Sequence, residues 1–272
     1  MYLCNRNQSL MKLKASACFV YQIEYPTPII AVLSPRKDIN QHVVADVMTV
    51  TPSIEIFHYT DNFGNACQRM LFEKGEVELK IENIVIVDSE VERNVLAEYV
   101  LIEDLPFEAI QFLLPSRYCH SDTQEIIQLA SEITKNIEIG NDQVLAICNW
   151  IYENISYQYG FSFYTSNSND ILKNKVGVCR DFAHLAMALC RSINIPARMV
   201  VGFLKDLPYS DLHAWFEVFI GGKWFTFDAV QEKTLGGRIV LAYGRDANDV
   251  AFITQFGNPL LKEMRVIVEE VQ

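Results

Sequence analysis

Cys179, His213 and Asp228 are the residues whose types and order could do chemistry together. A thiol becomes a strong nucleophile when an imidazole takes its proton. A carboxylate behind the imidazole fixes the tautomer and stabilises the positive form. Such a group attacks a carbonyl carbon and later returns its proton to a leaving amine. Two of the three can be paired by a local argument. Gly221-Gly222 joins two strand-like runs, residues 212–220 and 223–229, and signals a two-residue hairpin turn. Ile220 then pairs with Lys223, paired numbers sum to 443, and Asp228 falls opposite Trp215. Side chains alternate along a strand, so His213 and Trp215 share a face. Asp228 joins that face diagonally to His213, about 7–8 Å away at the backbone and within reach of an imidazole–carboxylate contact.

Cys179 is placed by a helix. Gly177 permits a sharp entry, and an apolar stripe of Ala183, Ala186, Met187, Cys190 and Ile193 follows until Pro196 ends it. The thiol therefore sits at a helix N-terminus, where free N–H groups and the macrodipole favour a thiolate, and its own N–H can donate to an oxyanion. His184, five residues on, points roughly 140° away and reads as structural. Arg180 and Asp181 read as helix-start residues. Trp215 and Trp224 read as packing or cleft rim. Arg245 and Asp246 are expected as an ion pair near the site.

The elements around these residues divide the chain. Apolar and polar residues alternate over 17–25, 53–59 and 76–87, with Pro26, Pro28, Pro35, Gly64 and Gly75 between them, which predicts an antiparallel sandwich or barrel. Asp61-Asn62-Phe63-Gly64-Asn65 reads as a tight turn. Helical spacing begins near Ser121, over 125–134 and 142–155, and residues 197–204 read as one more strand before the hairpin. The loop 156–170 is rich in Tyr, Ser and Asn, and its aromatics could wall a cleft. A further loop, 205–211, could rim it through Leu207-Pro208-Tyr209. Two domains are expected, a β-rich one over 1–115 and a second over 116–272.

Taken together, Gly177-Val178-Cys179-Arg180-Asp181-Phe182-Ala183-His184, His213-Ala214-Trp215 and Trp224-Phe225-Thr226-Phe227-Asp228 resemble the transglutaminase-like superfamily. The order Cys, His, Asp, with separations of 34 and 15 residues, is similar to its bacterial branch. Gly244-Arg245-Asp246-Ala247 and the 61–65 turn resemble further segments of those bacterial proteins. The resemblance implies an α+β fold, with a papain-like core of helices packed on an antiparallel sheet, docked to an N-terminal β-sandwich-like domain. It implies a catalytic triad of Cys179, His213 and Asp228 and acyl chemistry at an amide: hydrolysis of a peptide or isopeptide through a thioester, as in a cysteine protease. Transfer of a glutaminyl acyl group to an amine is the alternative, and a non-catalytic peptide-binding scaffold is a third reading. A second oxyanion donor is implied upstream of the cysteine, and Tyr157, Tyr159 and Tyr164 are unranked candidates.

Composition removes other classes. Lys plus Arg is 23 against 34 Asp plus Glu, a net charge of −11 that makes a poor nucleic-acid binder. Apolar runs fall far short of the roughly 20 residues of a membrane span. The first apolar stretch, 15–20, is shorter than the core of a secretion signal, so a cytoplasmic location is expected. Seven scattered cysteines include no C-x-x-C pair, so neither a zinc site nor a dithiol redox site is expected. No metal or cofactor is expected, and no calcium loop of the D-x-D-x-D kind occurs.

Overall fold

The computed structural model describes residues 9–94, 96–161, 163–207 and 211–272; Cys4, Pro208 and Tyr209 lie outside the described residues. The alternation near the N-terminus becomes long antiparallel strands. β1 (Leu10–Ile23), β2 (Thr27–Ala31), β3 (His42–Thr51), β4 (Phe57–Thr60), β5 (Ala66–Phe72) and β6 (Gly75–Asp88) come first. β1 buries every second residue from Leu13 to Ile23 and pairs with β6 along its whole length. Two of these strands are much longer than the others because each pleat has one apolar face to bury.

Among the described residues, five α-helices and three strands follow. They are α1 (Phe107–Ile110), α2 (Gln124–Ile133), α3 (Asn141–Asn154), β7 (Ser156–Tyr157), α4 (Ser168–Asn174), β8 (Val176–Gly177), α5 (Cys179–Ser192) and β9 (Ala197–Leu204). The hairpin is β10 (His213–Ile220) and β11 (Lys223–Phe227), and β12 (Arg238–Gly244), β13 (Ile253–Gln255) and β14 (Leu260–Glu270) complete the chain. The predicted register holds: Phe216 pairs with Phe227 and Ile220 with Lys223. Gly221 and Gly222 both have positive φ, as the tight turn requires.

Three four-stranded sheets result, ordered β14-β1-β6-β3, β13-β2-β5-β4 and β11-β10-β9-β12. The fold is mixed α and β with mostly antiparallel sheets, the short β7–β8 pair being parallel. The first two sheets face each other across Leu13, Phe19, Tyr21, Ile29 and Phe72. Phe203, Ile239 and Leu241 of the third sheet, with Leu212 just before β10, enter the same cluster. Helix α5 covers the rest of that same face of the third sheet through Leu185, Met187 and Leu189 against Ala214, Phe216 and Val218, and Val200, Trp215, Val240 and Tyr243 form a small cluster on the other face. All eight residues of β10 are buried. Fully burying each large apolar side chain contributes about 1.5–3 kcal/mol.

The last two strands return to the N-terminal sheets. β13 and β14, grouped by sequence with the second unit, pair with β2 and β1. β14 is an edge strand with a mostly exposed side-chain row, so its alternation carries little signal.

Candidate active site

Cys179 is the first residue of α5, with Val178 as the flanking cap. The entry is built by Asp181, which is fully buried and accepts from the Val178 N–H at 2.9 Å. A Cβ on Gly177 would lie 2.7 Å from that of Asp181, so only glycine lets the carboxylate fold back over the helix start. Arg180 pairs with Asp181 at 3.1 Å and donates to the Phe163 carbonyl at 2.7 Å, tying the aromatic loop to the helix.

The hairpin delivers the other two groups as its register requires. His213 Nε2 donates to Asp228 Oδ2 at 2.7 Å, with both side chains buried. Asp228 Oδ1 also accepts from the Val230 N–H at 3.1 Å. With Nε2 committed, Nδ1 is the ring nitrogen left for the Cys179 thiol, which lies close enough to help raise the imidazole. Burial works against the His213 charge, but Asp228 and Cys179 outweigh it and raise the imidazole from 6.5 to about 9. Burial likewise opposes the Asp228 carboxylate, and the charges of His213 and Arg238 hold it at about 2. The pair is thus ionised at neutral pH. The structure brings all three predicted residues together.

Sequence reasoning missed Arg238. Its Nη2 donates to Asp228 Oδ2 at 2.8 Å, so one carboxylate oxygen serves both the imidazole and a guanidinium. Arg238 is itself held by the Leu235 carbonyl and Gln231 Oε1, and lies over the Trp215 ring at 4.8 Å. The available signal was an arginine opening the otherwise apolar run Arg238–Gly244.

The three tyrosines are now ranked. Burial and the neighbouring Cys179 charge push the Tyr157 phenol well up, which puts this tyrosine beside the thiol. The parallel pairing of Tyr157 with Gly177, two residues before the thiol, sets this position. Tyr159 instead donates to Asp211 at 3.1 Å, and Tyr164 is largely exposed. Tyr157, Tyr159, Leu207, Asp211, Val230 and Gln231 line a cleft of about 290 Å³ beside His213.

Other expectations resolve as follows. His184 is fully buried, accepts from the Ala247 N–H at 3.1 Å and stacks on Tyr118; burial and two arginines hold it well below the usual imidazole range. Arg245 pairs with Asp249 rather than Asp246. Asp246 is buried and accepts from the Tyr118 and Asn248 N–H groups, because its oxygens are needed to close that turn. Cys119 and Cys190 are buried thiols raised to about 12. Among the described residues, no group of three His, Cys, Asp or Glu could hold a metal ion, and no helix is long and apolar enough to cross a membrane.

An antiparallel sheet with a helix-start cysteine against its His–Asp pair defines the class, and comparison with known proteins agrees. The family described as the transglutaminase-like superfamily matches residues 127–229. A crystal structure from Cytophaga hutchinsonii, described as a "putative cysteine protease", is 35% identical with a TM-score of 0.89, over 97% of this chain and 92% of that one. An uncharacterized protein of Mycobacterium leprae is 27% identical over 234 residues, covering 80% of this chain and 82% of the relative. One from Mycobacterium tuberculosis is 30% identical over 115 residues, 37% of each chain. The chain belongs to the transglutaminase-like superfamily.

Proposed function

We propose that the protein is a cysteine-dependent amide hydrolase of peptidase or isopeptidase type, with Cys179 as nucleophile, His213 as acid–base and Asp228 as its orienting anion. The observation that carries this reading is the buried 2.7 Å His213–Asp228 contact behind a half-buried helix-start thiol. The cysteine-protease description of the Cytophaga hutchinsonii protein supports the same class.

In the reaction, the Cys179 thiolate adds to the amide carbon. Charge develops on the carbonyl oxygen, where the Cys179 N–H donates and the Tyr157 hydroxyl supplies the second bond. His213 gives its proton to the nitrogen, the C–N bond breaks and an amine leaves from a thioester. Water, deprotonated by the same imidazole, then releases the acid and the thiol. Asp228 stays ionised throughout, because Arg238 and His213 stabilise its charge.

The test is a panel of internally quenched peptides and ε-linked lysine isopeptides, assayed with the wild-type chain and Cys179→Ala. Cleavage lost in the variant supports the reading. Incorporation of an added amine with no hydrolysis would replace it with acyl transfer. No turnover, with peptide still bound, would replace it with a scaffold.

A further inference from the structure

The cleft beside His213 has an outer end as well as a catalytic one. Tyr157, beside the thiol, packs edge-on against Tyr159 with ring centroids 5.5 Å apart, and the Tyr159 hydroxyl donates to Asp211 at 3.1 Å. These three make one continuous wall running outward from Cys179. Leu207, Leu212 and Val230 line the same space, and among the described lining residues Asp211 is the one carboxylate. Asp211 is half-buried, and the Leu212 N–H also donates to it, at 2.7 Å. Both of these donors are neutral. The charge of the catalytic imidazole is matched elsewhere, by Asp228.

A carboxylate at the end of a slot with aromatic and apolar walls limits what can enter. An apolar side chain would strip water from Asp211 and give no bond back, which costs free energy. An anion would be repelled. An aliphatic stem ending in a positive charge satisfies both parts, its methylenes against Leu207, Leu212 and Val230 and its head on Asp211. The Tyr159 ring offers its negative face to the same charge. The volume of about 290 Å³ lies at the small end of ligand cavities, roughly 300–1,000 Å³, which suits one side chain of a longer substrate. The net charge of −11 draws cations toward the protein in general.

We propose that Asp211 determines specificity: the protein selects substrates with a lysine-like side chain next to the scissile amide, the ammonium resting on Asp211. The cation takes no part in the reaction. It is not the nitrogen that leaves, because it stays on Asp211 while His213 protonates the leaving nitrogen. The assignment rests on Cys179 as nucleophile and names the substrate class for that same site.

The test uses iodoacetamides whose amide nitrogen carries an alkyl, aminoalkyl or carboxyalkyl tail of graded length. Each Cys179 rate on the full chain, read by peptide mass spectrometry, is divided by the rate of the same reagent with a free thiol in solution. At the best length the aminoalkyl reagent is expected to outpace the alkyl reagent roughly tenfold, with the carboxyalkyl reagent slowest. In Asp211→Asn the ratio falls close to unity, and in Asp211→Lys the carboxyalkyl reagent becomes the faster one. Comparing ratios cancels any general change in the thiol. Equal wild-type rates at every length overturn the proposal. So does a preference that survives Asp211→Asn, because it then belongs to the overall charge. Plain iodoacetamide separates two failures. Fast Cys179 labelling without a tail preference removes the role of Asp211 alone. Labelling no faster than Cys18 removes the nucleophile, and this proposal with it.

Discussion

Replacing Asp228 by asparagine tests the charge logic of the site with little change in shape. In the native chain Asp228 is the leading cause that lifts His213 from 6.5 to about 9, against burial that works the other way. That lift is worth about 3 kcal/mol of stabilisation of the imidazolium. Without the carboxylate charge, burial dominates and the ring is neutral at pH 7. A thiolate–imidazolium pair stabilised by about 3 kcal/mol less corresponds to roughly a hundredfold less reactive thiolate. The assay is the rate of iodoacetamide labelling at each cysteine from pH 6 to pH 9, read by peptide mass spectrometry. Cys18, half-buried and raised by burial and Glu78, is the internal reference. In the native chain Cys179 is expected to outpace Cys18 already at pH 6, and in Asp228→Asn that advantage disappears. Because the variant also leaves Arg238 buried opposite a neutral amide, His213→Gln is measured alongside it, with the Asp228–Arg238 pair intact. An unchanged Cys179 rate in both variants, or no advantage in the native chain, refutes the reasoning.

Three further outcomes follow from the same geometry. Tyr157→Phe removes one oxyanion donor and is expected to lower kcat by roughly 10²–10³ with KM little changed, measured on whichever amide substrate the panel yields. Stability against pH has a definite sign. The folded His213 value of about 9 lies above its ordinary 6.5, so its stabilisation is complete below pH 6.5 and is lost as pH rises through 9. Asp228, held at about 2, reports the same ion pair from the other side: its share is present above its ordinary 3.8 and lost as pH falls through 2. Urea denaturation should therefore show up to about 3 kcal/mol less stability at pH 10 than at pH 6.5, a difference missing from His213→Gln. Arg191→Met removes a buried guanidinium that donates to the Leu114, Ala197 and Arg245 carbonyls. It should cost about 3 kcal/mol or more in the same experiment while the folded fraction keeps the fast Cys179 labelling.

What the sequence disclosed was local. The Gly221-Gly222 turn fixes the hairpin register, and register alone sets His213 beside Asp228. Gly177, the stripe on α5 and Pro196 fix where the helix begins and ends, which places Cys179. The groups that stayed hidden depend on contacts between distant segments. Arg238 reaches Asp228 only because β12 lies on the far side of β9 from the hairpin. Tyr157 outranks Tyr159 only because β7 pairs with β8 in a particular register. The return of β14 to β1 spans nearly the whole chain, and no local pattern near residue 260 encodes its partner.

The N-terminal half also belongs to the site through one strand. β12 is an edge of the catalytic sheet, and an edge strand leaves backbone N–H and C=O groups unpaired. Two side-chain amides close it. Gln41 accepts from the Val240 N–H at 3.0 Å and donates to the Val240 carbonyl at 2.8 Å. Asn65, fully buried, does the same for Tyr243 at 2.9 and 2.8 Å. Each amide acts as one residue of a missing strand, and the four bonds together contribute about 4 kcal/mol at the usual net value of about 1 kcal/mol each. The 61–65 turn exists to present Asn65: Asp61 accepts from the Phe63 and Asn65 N–H groups, and Gly64 takes the positive φ. Because β12 begins with Arg238, anchoring this edge also fixes the guanidinium that holds Asp228. The β-rich half therefore shapes the charge of the candidate catalytic pair without contributing a residue to it.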